Sequence, residues 1–210
     1  MSAFTYKIGN ALYLNITNRC TNQCTFCIRY ISKIFNGAHP LWLTQEPTEE
    51  ELLKEIGDPT QYDEIVFCGY GEPLIRLELV KSLCKKIAAA RETGRSAARS
   101  PKIRINTNGS ANLFHQRNIL PELDGLVDEM HISLNAENAQ KYAAICRPTY
   151  GEKAYPALLE FAREAKNHIP AVTFSVVDLP DIDKAACQRI ANELGIGFRV
   201  RPYYELKYKK

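Results

Sequence analysis

The stretch Cys20-Thr21-Asn22-Gln23-Cys24-Thr25-Phe26-Cys27 places three thiols within eight residues, directly after a short apolar segment that reads as a strand. A loop this tight can turn three sulfurs toward one point. Thiolates bind zinc and iron–sulfur clusters, and four of them close either kind of site. Three leave one metal position open, and there chemistry can enter. Two plainer readings compete. The trio could belong to a zinc knuckle completed by His39 or a distant cysteine, or the thiols could be unrelated and buried, since free cysteine packs as a small hydrophobe. The spacing argues against the second.

The elements that must position this loop alternate along the chain. Short runs rich in β-branched and aromatic residues fall at 11–16, 64–68, 102–106, 129–134, 172–177 and 197–201 and read as strands. Helical patterns lie between them. Thr48 with Glu51 has the spacing of a capping box, and Leu52, Leu53 and Ile56 supply the buried face behind it. From Leu74 to Glu92, Leu77, Val80, Cys84 and Ile87 form one stripe, and Gly94 suits its end. Further helices are expected over 112–120, 137–145, 155–167 and 183–194, with Pro121, Pro148 and Pro170 placed to stop them. Six strand-then-helix units imply right-handed crossovers and a parallel sheet, either doubly wound or curled into a partial barrel. In both architectures ligands gather at the carboxyl ends of the strands.

The residues just past each run are the next candidates. Gly69-Tyr70-Gly71-Glu72-Pro73 follows the second run, Thr107-Asn108-Gly109 the third, and Ser133-Leu134-Asn135 closes the fourth. Glycines permit close backbone approach to a ligand, and the Glu72 carboxylate can accept from an ammonium group. As local structure, Pro73 beside an acid is ordinary helix capping, and Asn108-Gly109 is a turn signal. Arg147, Arg199 and Arg201 offer guanidinium forks for a carboxylate, with surface ion pairing as the plain alternative. Arg199 and Arg201 alternate with Phe198 and Val200, so one strand face carries both charges. Asn15 and Asn106 sit within strands, where interior packing serves equally well.

Taken together, these motifs resemble the radical S-adenosylmethionine (radical SAM) superfamily, most closely the compact group named for its association with TatD-type hydrolases. The resemblance runs from the cysteine loop through the final strand. It implies a (β/α)6 partial TIM-type barrel with the cluster loop, residues 18–28, after the first strand. Cys20, Cys24 and Cys27 would hold a [4Fe–4S] cluster whose fourth iron is chelated by S-adenosylmethionine, with Phe26 beside the adenine. Gly69-Tyr70-Gly71-Glu72-Pro73 looks like the family's Gly-Gly-Glu-Pro motif, with Tyr70 in place of the second glycine, and would grip the methionine amino group. Thr107 and Asn108 fall where the family contacts the methionyl and ribose parts, Ser133 and Asn135 suit the ribose, and Arg147, Arg199 or Arg201 the methionine carboxylate. An external one-electron donor, such as flavodoxin or ferredoxin, would start a cleavage to methionine and a 5′-deoxyadenosyl radical, which abstracts hydrogen from a substrate carbon.

Composition sets the remaining bounds. The 210 residues, 45% hydrophobic, suit a single domain spanning 1–210. Seven cysteines, an odd number without a secretory start, favour a reducing cytoplasm over a disulfide framework, and no apolar run is long enough for a bilayer. A net charge of +3 argues little for nucleic acid. The basic stretch Arg91, Arg95, Arg99, Lys102 and Arg104 reads as a solvated loop, as does the tail at 207–210. Cys68, Cys84, Cys146 and Cys187 are scattered singly and read as buried packing, and no histidine pair has ligand spacing. Only 202–210 follow the last strand, so an open side admitting a large substrate is expected: a protein or peptide first, as in glycyl-radical activation, a nucleobase next. A non-catalytic iron–sulfur or zinc module and a doubly wound nucleotide-binding protein are the readings from other classes.

Overall fold

A computed structural model describes residues 2–93 and 101–203. In chain order the elements are β1 (Thr5–Ile8), β2 (Ala11–Leu14), α1 (Ile28–Ile31), β3 (Ile34–Phe35), β4 (His39–Pro40), α2 (Glu49–Ile56), β5 (Glu64–Phe67), α3 (Leu77–Thr93), β6 (Lys102–Thr107), α4 (Ala111–His115), β7 (Glu129–Ser133), α5 (Ala139–Cys146), α6 (Ala154–Ala165), β8 (Ala171–Val177), α7 (Lys184–Leu194) and β9 (Gly197–Arg201). Seven strands form one sheet in the order β1-β2-β5-β6-β7-β8-β9. All neighbours from β2 onward are parallel, and β1 pairs antiparallel with β2. Among the described residues no helix is long and apolar enough to cross a membrane.

All six expected strands are present, and each half of the alternation goes to a different face. Leu12, Leu14, Ile65, Phe67, Ile103, Ile105, Met130, Ile132, Phe174 and Val176 are buried in the main hydrophobic core, together with the inner residues of the helices. The alternate positions, including Tyr13, Arg104, Asn106, His131, Ser133, Ser175, Arg199 and Arg201, line a cavity. That arrangement requires a curled sheet. Laid flat at about 4.8 Å per strand, β2 and β9 would stand roughly 24 Å apart. Instead one cavity of about 330 Å³ is lined by residues of both. Side chains also reach across the curve, Arg104 Nη2 on β6 donating to Tyr13 Oη on β2. This is the partial-barrel architecture, with a polar concave face and an apolar convex one.

Local signals placed most helices. The Thr48 capping box forms as its spacing predicts: Glu51 N–H donates to Thr48 Oγ1 at 3.2 Å and Thr48 N–H to Glu51 Oε2 at 2.8 Å. Asn138 and Asp183 cap α5 and α7 through their side-chain oxygens. Three expectations need correction. The helix expected over 112–120 is only α4, stopped by Gln116 in the left-handed region (φ 54°), and Pro121 falls inside a following 3-10 turn, Leu120–Leu123, rather than ending a helix. The helix expected from Leu74 begins with a separate 3-10 turn, Pro73–Arg76. Arg104 is no solvated loop residue; it lies within β6 at 7% exposure. The expected helix end at Gly94, the side chains of Arg91, Arg95 and Arg99, and the tail at 207–210 lie outside the described residues.

Two features were not anticipated. Gly9-Asn10 joins β1 to β2 as a two-residue hairpin, Gly9 at φ 60°. The β3–β4 hairpin packs Phe35 with Tyr6, Leu41 and Tyr70 in a second small core beside the cavity.

Candidate active site

The loop carrying Cys20, Cys24 and Cys27 leaves the end of β2 and is held from several sides. The C-terminal end of α5 takes one edge: Gln23 N–H donates to Cys146 O at 3.0 Å, Thr25 N–H to Ile145 O at 2.8 Å, and Thr149 N–H to Thr21 O at 2.8 Å. Tyr142 Oη accepts from Asn22 Nδ2 at 2.9 Å. The turn after β6 takes another edge, where Asn108 Nδ2 donates to Thr21 Oγ1 at 2.8 Å and lies 3.6 Å from Cys20 Sγ. Arg29 binds the loop's own carbonyls, Nη1 to Asn18 O and Nη2 to Asn22 O. A loop bound at this many points presents its thiols without paying much ordering entropy when a metal group enters.

All three thiols are half-buried and line the same cavity. Burial, with the Glu72 carboxylate nearby, pushes the Cys20 thiol up to about 12. Burial raises the Cys27 thiol as well, and Cys24 is raised by its hydrogen bond with Cys146 and then by burial. Three soft sulfur donors facing one space are the right chemistry for an iron–sulfur group. Among the described residues no group of three or more His, Cys, Asp and Glu side chains is close enough to hold a single metal ion. His39, the alternative zinc ligand, packs its ring tilted against Tyr6 with centroids 5.4 Å apart and does not line the cavity. Cys146 is fully buried behind Cys24, outside the cavity lining, and Cys84 and Cys187 are buried too. Cys68 departs from its expected buried role: it is half-buried and lines the cavity.

The turn after β5 meets the loop at close quarters. A Cβ on Gly71 would lie 2.4 Å from Thr17 O and 2.5 Å from Arg19 O, and one on Gly69 would lie 2.0 Å from Asn15 Oδ1. Both glycines therefore admit the chain leaving β2, where the sequence suggested approach to a ligand. Tyr70, standing where the resembled motif has glycine, is buried; its hydroxyl donates to Ser32 O at 2.6 Å and its N–H to Asn15 Oδ1 at 3.2 Å. Pro73 opens the 3-10 turn that Glu72 caps.

Glu72 is buried and accepts from Leu74 N–H (3.1 Å), Thr107 Oγ1 (2.8 Å) and Asn108 N–H (2.7 Å). A carboxylate has about four acceptor sites, so one remains for an outside donor. Burial outweighs these bonds and raises its pKa to about 7. Thr107 donates its hydroxyl proton to Glu72 and accepts from Gly109 N–H. Asn108 is saturated, its Oδ1 accepting from the Ser110 N–H and hydroxyl. Both hold the turn and loop together, and both also line the cavity.

Phe26, Ser133, Asn135, Arg199 and Arg201 line the same cavity. Asn135 sits at φ 57°, and its buried Oδ1 has no hydrogen-bond partner among the described residues, an acceptor open to a ligand. Asn22 Oδ1 is in the same position. Arg147 does not reach the site: its side chain is exposed and absent from the cavity lining, because φ 44° at the end of α5 turns it outward while its carbonyl supports Gln23. Missed from sequence were Arg29, Asn22, Tyr142 and Ser110, which hold the loop, and Arg104 and His131, which line the cavity below it.

Solved structures with this fold include a radical SAM methyltransferase from Sphaerobacter thermophilus (TM-score 0.57, 16% identity, covering 94% of this chain and 68% of that one). They also include HydG, a maturase of the [FeFe]-hydrogenase (TM-score 0.59, 16% identity, covering 92% of this chain), of which this chain spans only 42%. No curated protein matches. The family model described as the radical SAM superfamily matches residues 14–194, from β2 through α7. The chain therefore belongs to the radical SAM superfamily, enzymes that use a [4Fe–4S] cluster and S-adenosylmethionine.

Proposed function

We propose that Cys20, Cys24 and Cys27 hold a [4Fe–4S] cluster at the mouth of the partial barrel, and that this chain cleaves S-adenosylmethionine there to abstract hydrogen from a substrate. The observation that supports this reading best is that one cavity is lined at once by the three loop thiols, Glu72, Asn135 and Arg201. Glu72 has one acceptor site left, suited to the methionine ammonium, and Arg201 is near enough to Cys27 to lower its pKa, a place suited to the carboxylate. Ser133 and the unpartnered Asn135 Oδ1 suit the ribose, and Phe26 offers an apolar face to the adenine. Gly69, Tyr70, Gly71, Thr107 and Asn108 position this machinery through the contacts above. When bound, the cluster supplies the electron that breaks the sulfonium–C5′ bond, releasing methionine and a 5′-deoxyadenosyl radical that takes hydrogen from the substrate. Radical SAM enzymes draw that electron from an external donor.

We read the described residues as one catalytic domain, since the cavity draws on six of the seven strands of the large sheet and on the turn that follows β5. The substrate we favour is a protein or peptide that presents one residue to the cavity. Ile31, 39% exposed on α1 after the cysteine loop, and Ile8, 40% exposed at the opposite end of β2, line it and give both of its ends an apolar edge for a polypeptide. The test is anaerobic reconstitution with iron and sulfide, reduction with dithionite, and assay for 5′-deoxyadenosine in the presence of deuterated candidate polypeptides and nucleosides. Wild type forms it, and alanine at Cys20, Cys24 or Cys27 abolishes it. Deuterium transfer from a nucleoside and from no polypeptide would overturn the substrate assignment.

A further inference from the structure

Below the level of the cysteine loop, the concave face carries two arginines in opposite states. Arg104 on β6 has spent all five N–H groups: Nε and Nη2 on Glu64 (2.7 and 2.8 Å), Nη2 also on Tyr13 Oη, and Nη1 on Asn106 Oδ1 and His131 Nδ1. Its charge is matched by Glu64, so it holds the barrel interior and has nothing left for a ligand. Arg199 on β9 lines the same cavity, is open to solvent, and makes one side-chain hydrogen bond among the described residues, Nη1 to His131 Nδ1 at 3.4 Å. That ring nitrogen already accepts from Arg104. A guanidinium can only donate, so the ring proton is on Nε2, facing Glu129 Oε1 at 2.6 Å, and His131 is neutral between the two cations. Arg199 makes no ion pair among the described residues and keeps four N–H groups free of protein acceptors.

Height on the sheet separates Arg199 from the cosubstrate end of the cavity. Arg201 stands in register with Val177, at the strand ends near Cys27. Arg199 stands in register with Ser175 and reaches down to His131. Ser175 is buried and lines the cavity, and its hydroxyl has no protein partner among the described residues. Arg199 is reached by solvent, so its charge needs no partner to be stable; its free N–H groups, beside the Ser175 hydroxyl in a cavity walled by Tyr6 and Tyr13, are instead available to an anionic group that enters.

We propose that Arg199, with Ser175 beside it, docks an anionic group of the substrate, a carboxylate or a phosphate, and so fixes which carbon faces the cosubstrate above. This rests on the cluster and cosubstrate assignment given under Proposed function. The group is a side-chain or terminal carboxylate if the substrate is a peptide, and a phosphate ester if it is a nucleotide.

The experiment is calorimetric titration of malonate, and separately of inorganic phosphate, into anaerobically reconstituted protein saturated with S-adenosylmethionine, using wild type, Arg199→Gln and Arg199→Lys. Wild type binds one of the two anions; which one it prefers assigns the source. Arg199→Gln weakens that binding at least tenfold, and Arg199→Lys, which keeps the charge but loses the fork, falls between. Phenylglyoxal modification of Arg199 in wild type, read by mass spectrometry, is slowed by the anion that binds, which tests the site without a variant. Equal affinity in wild type and Arg199→Gln, absence of binding to either anion, or unprotected Arg199 overturns the proposal. Iron content and S-adenosylmethionine affinity are measured on the same samples: if both are normal while anions fail to bind, the substrate site alone is wrong, and if they fail, the cosubstrate assignment falls with it.

Discussion

Glu72→Gln tests how the turn after β5 is built, and the structure gives the size of the effect. Burial raises the Glu72 pKa from an ordinary 4.5 to about 7 despite three donated hydrogen bonds. The folded chain therefore holds this proton more tightly than the unfolded chain. Stability contributed here is fully present below about pH 4.5 and is lost as pH rises through about 7. The full displacement corresponds to about 3.4 kcal/mol, of which about 2.5 kcal/mol is lost between about pH 5 and pH 8. Glutamine cannot ionise, so its variant lacks this slope. It also has one oxygen where Leu74 N–H and Asn108 N–H both need an acceptor, which costs about 1–3 kcal/mol at any pH. Urea denaturation of cluster-free protein at several pH values measures both effects. The difference in stability between wild type and variant should shrink by about 2–3 kcal/mol from about pH 5 to 8. Parallel curves would refute the buried, proton-retaining carboxyl. The same linkage predicts that S-adenosylmethionine affinity rises as pH passes through about 7 in wild type, because an ammonium partner needs Glu72 ionised.

Gly71→Ala forces a Cβ against Thr17 O and Arg19 O at 2.4 and 2.5 Å, both backbone atoms. Its denaturation midpoint should fall by the equivalent of about 2 kcal/mol or more, with iron uptake reduced because the loop must move. Asn108→Ala removes the donors to Thr21 and Cys20 and should lower iron retained under chelator challenge while the far-UV circular dichroism is kept. Unchanged iron retention would show that the loop is held without Asn108. Thr48→Ala breaks a capping box remote from the cavity, so about 1 kcal/mol of stability is lost and S-adenosylmethionine affinity is unchanged.

The six parallel strands and the cysteine loop were legible because they depend on local pattern: β-branched runs, one capping box, and three cysteines between a strand and the next element. Less legible was which face of each strand does what. Arg104, Asn106, His131, Ser133 and Ser175 alternate with buried apolar residues, a period of two that marks a polar concave face, but each run reads first as hydrophobic. Long-range contacts were illegible in principle. Nothing near Arg147 tells that its carbonyl supports Gln23 while its side chain points away, and nothing near Gly69 and Gly71 tells that their partners are Asn15, Thr17 and Arg19. The Gly9-Asn10 hairpin was readable from its turn residues, and the short polar strand before it hid the signal.

Electron paramagnetic resonance of the reduced, reconstituted protein tests the central claim most directly. With three cysteine ligands and one open iron, the sample should contain about four irons per chain with matching sulfide, and its signal should shift when S-adenosylmethionine is added. Bound zinc in place of iron, or a cluster signal identical with and without S-adenosylmethionine, would contradict it.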